Sequence, residues 1–184
     1  MHYEVSKIIT DDQRHALIDL YNSMPSSIAH QDYNLHTVDK RQITSSVIDS
    51  MPPKAKEALL AVESTTKRKS YSHYFVMYEE GAFTKLHTDN DAEVGLTIVT
   101  LVDTVDLIGG DTLVMLPYEE KEKKGYQKGS SPRGSVIPKI VRMESGESVT
   151  YDHSLTHGVT QVEKGKRLVL VSWFMCPQEA EVAA

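Results

Sequence analysis

From residue 70 onward the chain is a succession of short β-branched and aromatic runs. This constrains its fold more than any other feature. SHYFVMYEE, EVGLTIVTLVD, DTLVMLP, SVIPKIVRM, ESVTYD, HGVTQVE and RLVLVSWFM follow one another, divided by Gly, Pro and charge. Runs of this kind suit a half-buried pleated surface and predict about seven strands in a sandwich, jelly roll or barrel. The first third reads as helical. Thr10-Asp11-Asp12 offers N-cap side chains ahead of Ala16, Leu17, Leu20 and Tyr21, which recur at helical spacing, and this helix should stop before Pro25. Residues 25–51, rich in Ser, His, Asp and Thr, read as irregular structure with one short strand. A second helix should begin near Pro52-Pro53, with Ala55, Leu59, Leu60 and Val62 as its apolar stripe. The basic residues of TTKRKS would sit at its negative end. Helices first and strands after make the class α+β, with N-terminal helices buttressing one face of the sheets.

Length predicts a single domain over 1–184, with a helical part over 1–69 and the strand-built core over 70–176. No apolar run approaches the 18 or so residues a transmembrane helix needs, and the start lacks a basic-then-apolar leader. The one cysteine, Cys176, excludes an intrachain disulfide, so a reducing, cytoplasmic setting is expected. The net charge of −6 provides no broad positive field for phosphates, which disfavours nucleic acid as a partner. Oligomeric state is not readable. The connection from Tyr118 to Ser135 is long and charged, and reads either as a solvated excursion or as a lid over a site.

Eight histidines are the first sign of chemistry. His87 and Asp89 in KLHTDND stand two apart, so on a strand they face the same way. A second strand can bring His157, in SLTHGV, to the same point. Two imidazoles and one carboxylate form a facial ligand set that leaves about three octahedral positions open, as non-haem Fe(II) oxygenases require. His-x-Asp alone is a weak signal, because isolated histidines are usually core or surface residues. Arg167 opens RLVLVSWF and reads either as a basic surface residue or as a buried guanidinium that needs an anion, a structural acid or a bound carboxylate. His153 competes with His157, but its flanks are strand-like and no Glu follows it, so it reads as a supporting or surface residue. For His2, His15, His30, His36 and His73 the sequence assigns no role, and each reads as an ordinary core or surface histidine. Gly109-Gly110-Asp111 reads as a tight turn, and Cys176 as a bystander.

Together these segments resemble the prolyl 4-hydroxylase-like branch of the Fe(II)/2-oxoglutarate dioxygenases, over residues 74–175. YFVMYEEGAFTKLHTDN, LTIVTLVD with GGDTLVM, and GESVTYDHSLTHGVTQVEKGKRLVLVSWF follow that branch in order. Asp89-Asn90 and the spacing of His157, Val159 and Val162 look most like the PKHD-type and oxygen-sensing prolyl hydroxylases. The resemblance implies a double-stranded β-helix (jelly-roll) core, with His87, Asp89 and His157 as iron ligands. It implies Arg167 on the distal carboxylate of 2-oxoglutarate and Tyr78 reaching the cosubstrate. Strand alternation would add Val99, Leu101 and Val171 to the pocket wall. Fe(II) and 2-oxoglutarate are the expected cofactors, with ascorbate a candidate accessory reductant. The implied reaction hydroxylates an unactivated C–H bond, first of all in a prolyl residue of a peptide, while 2-oxoglutarate goes to succinate. A free amino acid or other small molecule is the alternative substrate. A cupin-like metal protein without oxygenase activity is the alternative of another class. Thr84 stands where many members carry a Tyr, and Trp173 where the nucleic-acid demethylases carry a second Arg. The retained Asp89 speaks against a halogenase.

Overall fold

The computed structural model describes residues 3–25, 35–89, 93–117 and 136–176. The elements in chain order are β1 (Tyr3–Lys7), α1 (Asp11–Ser23), β2 (Leu35–Gln42), α2 (Ser45–Ser50), α3 (Pro53–Ser64), β3 (Ser70–His87), β4 (Val94–Gly109), β5 (Thr112–Pro117), β6 (Val136–Val141), β7 (Glu147–Asp152), β8 (His157–Val159) and β9 (Val162–Met175). The strands pair antiparallel in the order β1-β7-β4-β9-β3-β8-β5-β6, with β2 alongside β3. The expected α+β jelly-roll core is present. Residues 118–135 lie outside the described residues.

Alternation sorts the long strands into two cores. Phe75 on β3, Ile98 and Val102 on β4, and Leu168, Leu170 and Phe174 on β9 face Leu17 and Leu20 of α1 and Ala55, Leu59 and Val62 of α3. Their neighbours Tyr74, Val76, Tyr78, Val99, Leu101, Val169 and Val171 face the inside of the curled sheet. The helices therefore close the outer face of the sheet, and the inner face is left to form a site. Thr10 caps α1 in a reciprocal box with Gln13, and Pro53 opens α3 as expected.

Several expectations need correction. The first third is not wholly helical. β1 is a strand, β2 is the one short strand expected within residues 25–51, and α2 is a short helix inside that same stretch. β1 adds to β7 and β2 to β3, so these polar segments are held by backbone ladders rather than by apolar periodicity. Arg41 on β2 ties that strand to the end of α1, donating to the carbonyls of Tyr21 and Met24 at 2.6 and 2.7 Å while pairing with Asp39 at 2.6 Å. Leu60 is 54% exposed and faces away from the α3 stripe. No basic residue lies in the last turn of α3, because the helix ends before Lys67 and Arg68. The Gly109-Gly110 turn has positive φ at both residues (74° and 67°), as expected. It is a corner and not a hairpin, because β5 leaves β4 to pair with β8 and β6.

Candidate metal centre

β3 has two halves with different partners. Its first half, through Tyr78, pairs with β9, and after Gly81 (φ 87°) its second half pairs with β8. This change of partner sets His87 directly opposite His157. Gly158 permits the approach, since a Cβ there would lie 2.8 Å from the Thr84 carbonyl and 3.2 Å from that of Lys85. Asp89 follows two residues after His87, anchored by its own N–H to the His153 carbonyl at 3.0 Å. One ligand atom from each of His87, Asp89 and His157 lies within 4.8 Å of the others. Asp89 Oδ1 is 3.6 Å from His87 Nε2 and 3.7 Å from His157 Nε2.

Each of these side chains is oriented by a second contact. His87 Nδ1 meets the Lys85 carbonyl at 2.8 Å, and His157 Nδ1 meets that of Leu155 at 2.9 Å. A carbonyl can only accept, so both Nδ1 atoms carry a proton and the Nε2 atoms are the ones left to ligate a metal. Thr97 on β4 donates to Asp89 Oδ2 at 2.5 Å, which leaves Oδ1 facing the two imidazoles. Burial pushes the Asp89 carboxyl up, but His87, His157 and the Thr97 hydroxyl outweigh it and hold it below the usual carboxylate range. Burial pushes the His157 imidazole down, against the pull of Asp89. Neutral imidazoles and an ionised carboxylate are the protonation states a metal needs. Two nitrogens and one oxygen, with the remaining positions unfilled by any other described residue, suit a divalent first-row metal such as Fe(II).

The same cavity contains Arg167, at the first inward position of β9's core run. It is 2% exposed. Its Nη2 donates to Thr112 Oγ1 at 2.7 Å, while Nη1 is buried with no hydrogen-bond partner among the described residues. A buried cation with an unmet donor suits a carboxylate ligand. Tyr78 lines the cavity with its ring 5.4 Å from the Arg167 guanidinium carbon, and its hydroxyl pairs with Thr84 at 2.8 Å. Val99 and Val171 form part of the wall, together with Val76 and Val169. Leu101 is buried on the same inner face but does not line the cavity. Thr84, Thr112, Trp173 and Tyr151 complete much of the lining.

His153 is half-exposed, with Nδ1 3.4 Å from the Gly95 carbonyl, and contributes to the site through its backbone alone. Two features escaped sequence reasoning. Tyr151 packs on His157, with ring centroids 4.5 Å apart. His73 is buried between Ser172 Oγ at 2.8 Å and Glu63 Oε1 at 3.1 Å, joining α3 to the sheet outside the cavity. No pattern of spacing gives either contact, because the partners come from separate elements.

No protein-family profile matches the chain. No curated protein matches it either. Solved structures do match. A prolyl-4-hydroxylase from Pseudomonas putida superposes with a TM-score of 0.62 at 16% identity, over 94% of this chain and 91% of that one. A prolyl hydroxylase from Trichoplax adhaerens, in complex with a peptide fragment of the hypoxia inducible factor oxygen degradation domain, gives 0.64 at 12% identity, over 94% and 83%. The epimerase SnoN in complex with Fe3+, alpha ketoglutarate and nogalamycin RO gives 0.62 at 12%, over 94% and 78%. This chain has their fold. It is the double-stranded β-helix, with the two cores described above on either side of its sheet. No helix among the described residues is long and apolar enough to cross a membrane.

Proposed function

We propose that the protein is an Fe(II)- and 2-oxoglutarate-dependent oxygenase of the prolyl hydroxylase-like branch. One observation carries the reading: a two-His, one-carboxylate cluster and a buried Arg167 with an unmet donor open on one cavity. Either group alone has ordinary structural explanations, but their meeting in one cavity does not. His87, Asp89 and His157 would hold the metal, and Arg167 with Thr112 would hold the distal carboxylate of 2-oxoglutarate. When bound, iron and cosubstrate supply the oxidising power that turns dioxygen on a C–H bond, with succinate and carbon dioxide as coproducts.

The chain's own contribution is placement and exclusion of water. Thr97 and the two backbone carbonyls set the ligand directions before anything binds, so little reorganisation is needed. Val76, Val99, Val169 and Val171 line the cavity that also holds Arg167 and the ligand cluster. Their apolar surface keeps water from the cosubstrate and strengthens the Arg167 contact.

A prolyl residue of a peptide is the first substrate to try, by likeness to the peptide-bound neighbour. A free small molecule comes second, by likeness to the epimerase. The single thiol, the exposed and unbridged Cys176, accords with a reducing, cytoplasmic setting. The test is succinate formation from 2-oxoglutarate with Fe(II), ascorbate and air, followed by a mass screen of prolyl peptides and free amino acids for a product heavier by one oxygen. A metal-loaded chain that failed to bind 2-oxoglutarate at all would end the reading.

A further inference from the structure

Tyr151 lies on β7 opposite Thr97, the residue whose hydroxyl binds Asp89. Its ring rests on the His157 imidazole at 4.5 Å, with the planes 42° apart. The side chain is 2% exposed, yet it lines the cavity. Its hydroxyl makes no hydrogen bond to any described residue. Tyr78, the cavity phenol nearest Arg167, has its hydroxyl engaged with Thr84. Buried tyrosine hydroxyls nearly always find a partner. One that faces a cavity without a partner is therefore placed for a ligand.

The character of that ligand follows from the surroundings. Asp89, Tyr74, Tyr78 and Arg167 line the same cavity as the phenol. Tyr151 thus shares one cavity with the carboxylate ligand and the guanidinium. A tyrosine hydroxyl keeps its proton at neutral pH, so it can donate. A donor in that cavity needs an anionic or carbonyl acceptor, and the ring contact with His157 sets the side chain on the metal side.

We propose that Tyr151 is a cosubstrate-binding residue, its phenol donating a hydrogen bond to the 2-oxo acid end of the cosubstrate while Arg167 holds the far carboxylate. The inference rests on the function proposed above and adds a second anchor to it. Removing the hydroxyl loses one hydrogen bond to a charged acceptor, which corresponds to roughly a 10-fold loss of affinity.

The experiment uses the full chain loaded with Mn(II) without oxygen, titrated with 2-oxoglutarate and with 2-oxopentanoate, the same chain ending in a methyl. Tyr151→Phe is expected to weaken both acids by about 10-fold and to leave Mn(II) affinity within about twofold. Arg167→Met is expected to weaken 2-oxoglutarate far more than 2-oxopentanoate, which locates each anchor at its own end. If Tyr151→Phe binds both acids as the unsubstituted protein does, the inference is overturned. If its Mn(II) affinity falls in step with acid affinity, the role is packing against His157 and the inference is again overturned. If the unsubstituted protein binds neither acid, the proposed function fails first, a result distinguishable from both.

Discussion

Arg167 and Thr112 meet at 2.7 Å across the inner cavity, and this contact occupies only one of the two terminal guanidinium nitrogens. Nη1 stays buried without a partner among the described residues. Burial pushes the guanidinium pKa down, and it is the Tyr78, Tyr151 and Asp111 side chains that partly restore it. The protein thus carries a desolvated cation whose compensation is incomplete until an anion arrives. Arg167→Met should lower 2-oxoglutarate affinity by about 100-fold, since two charge-assisted hydrogen bonds are lost. The same substitution should leave the ligand-free thermal midpoint within a few degrees, because it removes an uncompensated buried charge along with its contacts. Calorimetric titration and a thermal melt test both halves. Unchanged affinity would remove Arg167 from the cosubstrate site.

Thr97 controls which oxygen Asp89 offers. Its hydroxyl holds Oδ2 at 2.5 Å, and Oδ1 turns toward His87 and His157. Thr97→Val keeps the shape and removes the donor, so the carboxylate gains freedom to rotate and an unmet acceptor. Loss of such a supporting contact should cost about 10- to 100-fold in metal affinity. Thr97→Ser should restore most of it. Mn(II) binding followed by electron paramagnetic resonance gives the comparison, and full affinity in Thr97→Val would contradict the argument.

The parts of the site that spacing can reveal are those on a single strand. His87 and Asp89 share a face because they stand two apart, and Val99 and Val171 face inward for the same reason. His157 lies 70 residues beyond His87, and only the change of partner along β3 sets the two opposite each other. That is a topological fact, reached in advance through family resemblance and not through spacing. Tyr151 was missed because the turn over residues 153–155 interrupts the alternation between β7 and β8. His73 was missed because its partners, Glu63 and Ser172, lie 10 and 99 residues away. β1 escaped notice for another reason, which also left β2 without bounds as the one short strand expected in residues 25–51. YEVSK and LHTVDKRQ carry too few apolar residues to mark a buried face, and their pairing with β7 and β3 does the holding.

Gly158 is the position where the site has least tolerance. A Cβ there would meet three backbone atoms of β3, at 2.8, 3.2 and 3.3 Å, none of which can move alone. Gly158→Ala should therefore push β8 away from β3 and separate His157 from His87. Overpacking of this kind costs about 1–3 kcal/mol, and metal affinity should fall by at least 10-fold. A denaturant titration paired with metal binding tests it. Native stability in the alanine variant would mean that the two strands are less closely constrained than these distances imply.

His73 links α3 to β9, with Nε2 toward Glu63 and Nδ1 toward Ser172. The edge of its ring system also meets Phe174, with centroids 6.2 Å apart. Burial lowers its pKa, and the attraction of Glu63 recovers only part of the shift. The folded state therefore takes up a proton less readily than the unfolded chain, whose histidines titrate near about 6.5. The resulting stability is complete above that value and is lost as pH falls through it toward the depressed folded value. His157 shifts in the same direction, so the wild-type dependence alone does not isolate His73. The difference between wild type and His73→Gln does, since His157 is common to both. Urea midpoints measured at intervals from pH 8 to 5 should show the wild-type advantage shrinking as the solution becomes acidic. A difference that stays constant over that range would mean the buried imidazole titrates as it does in water.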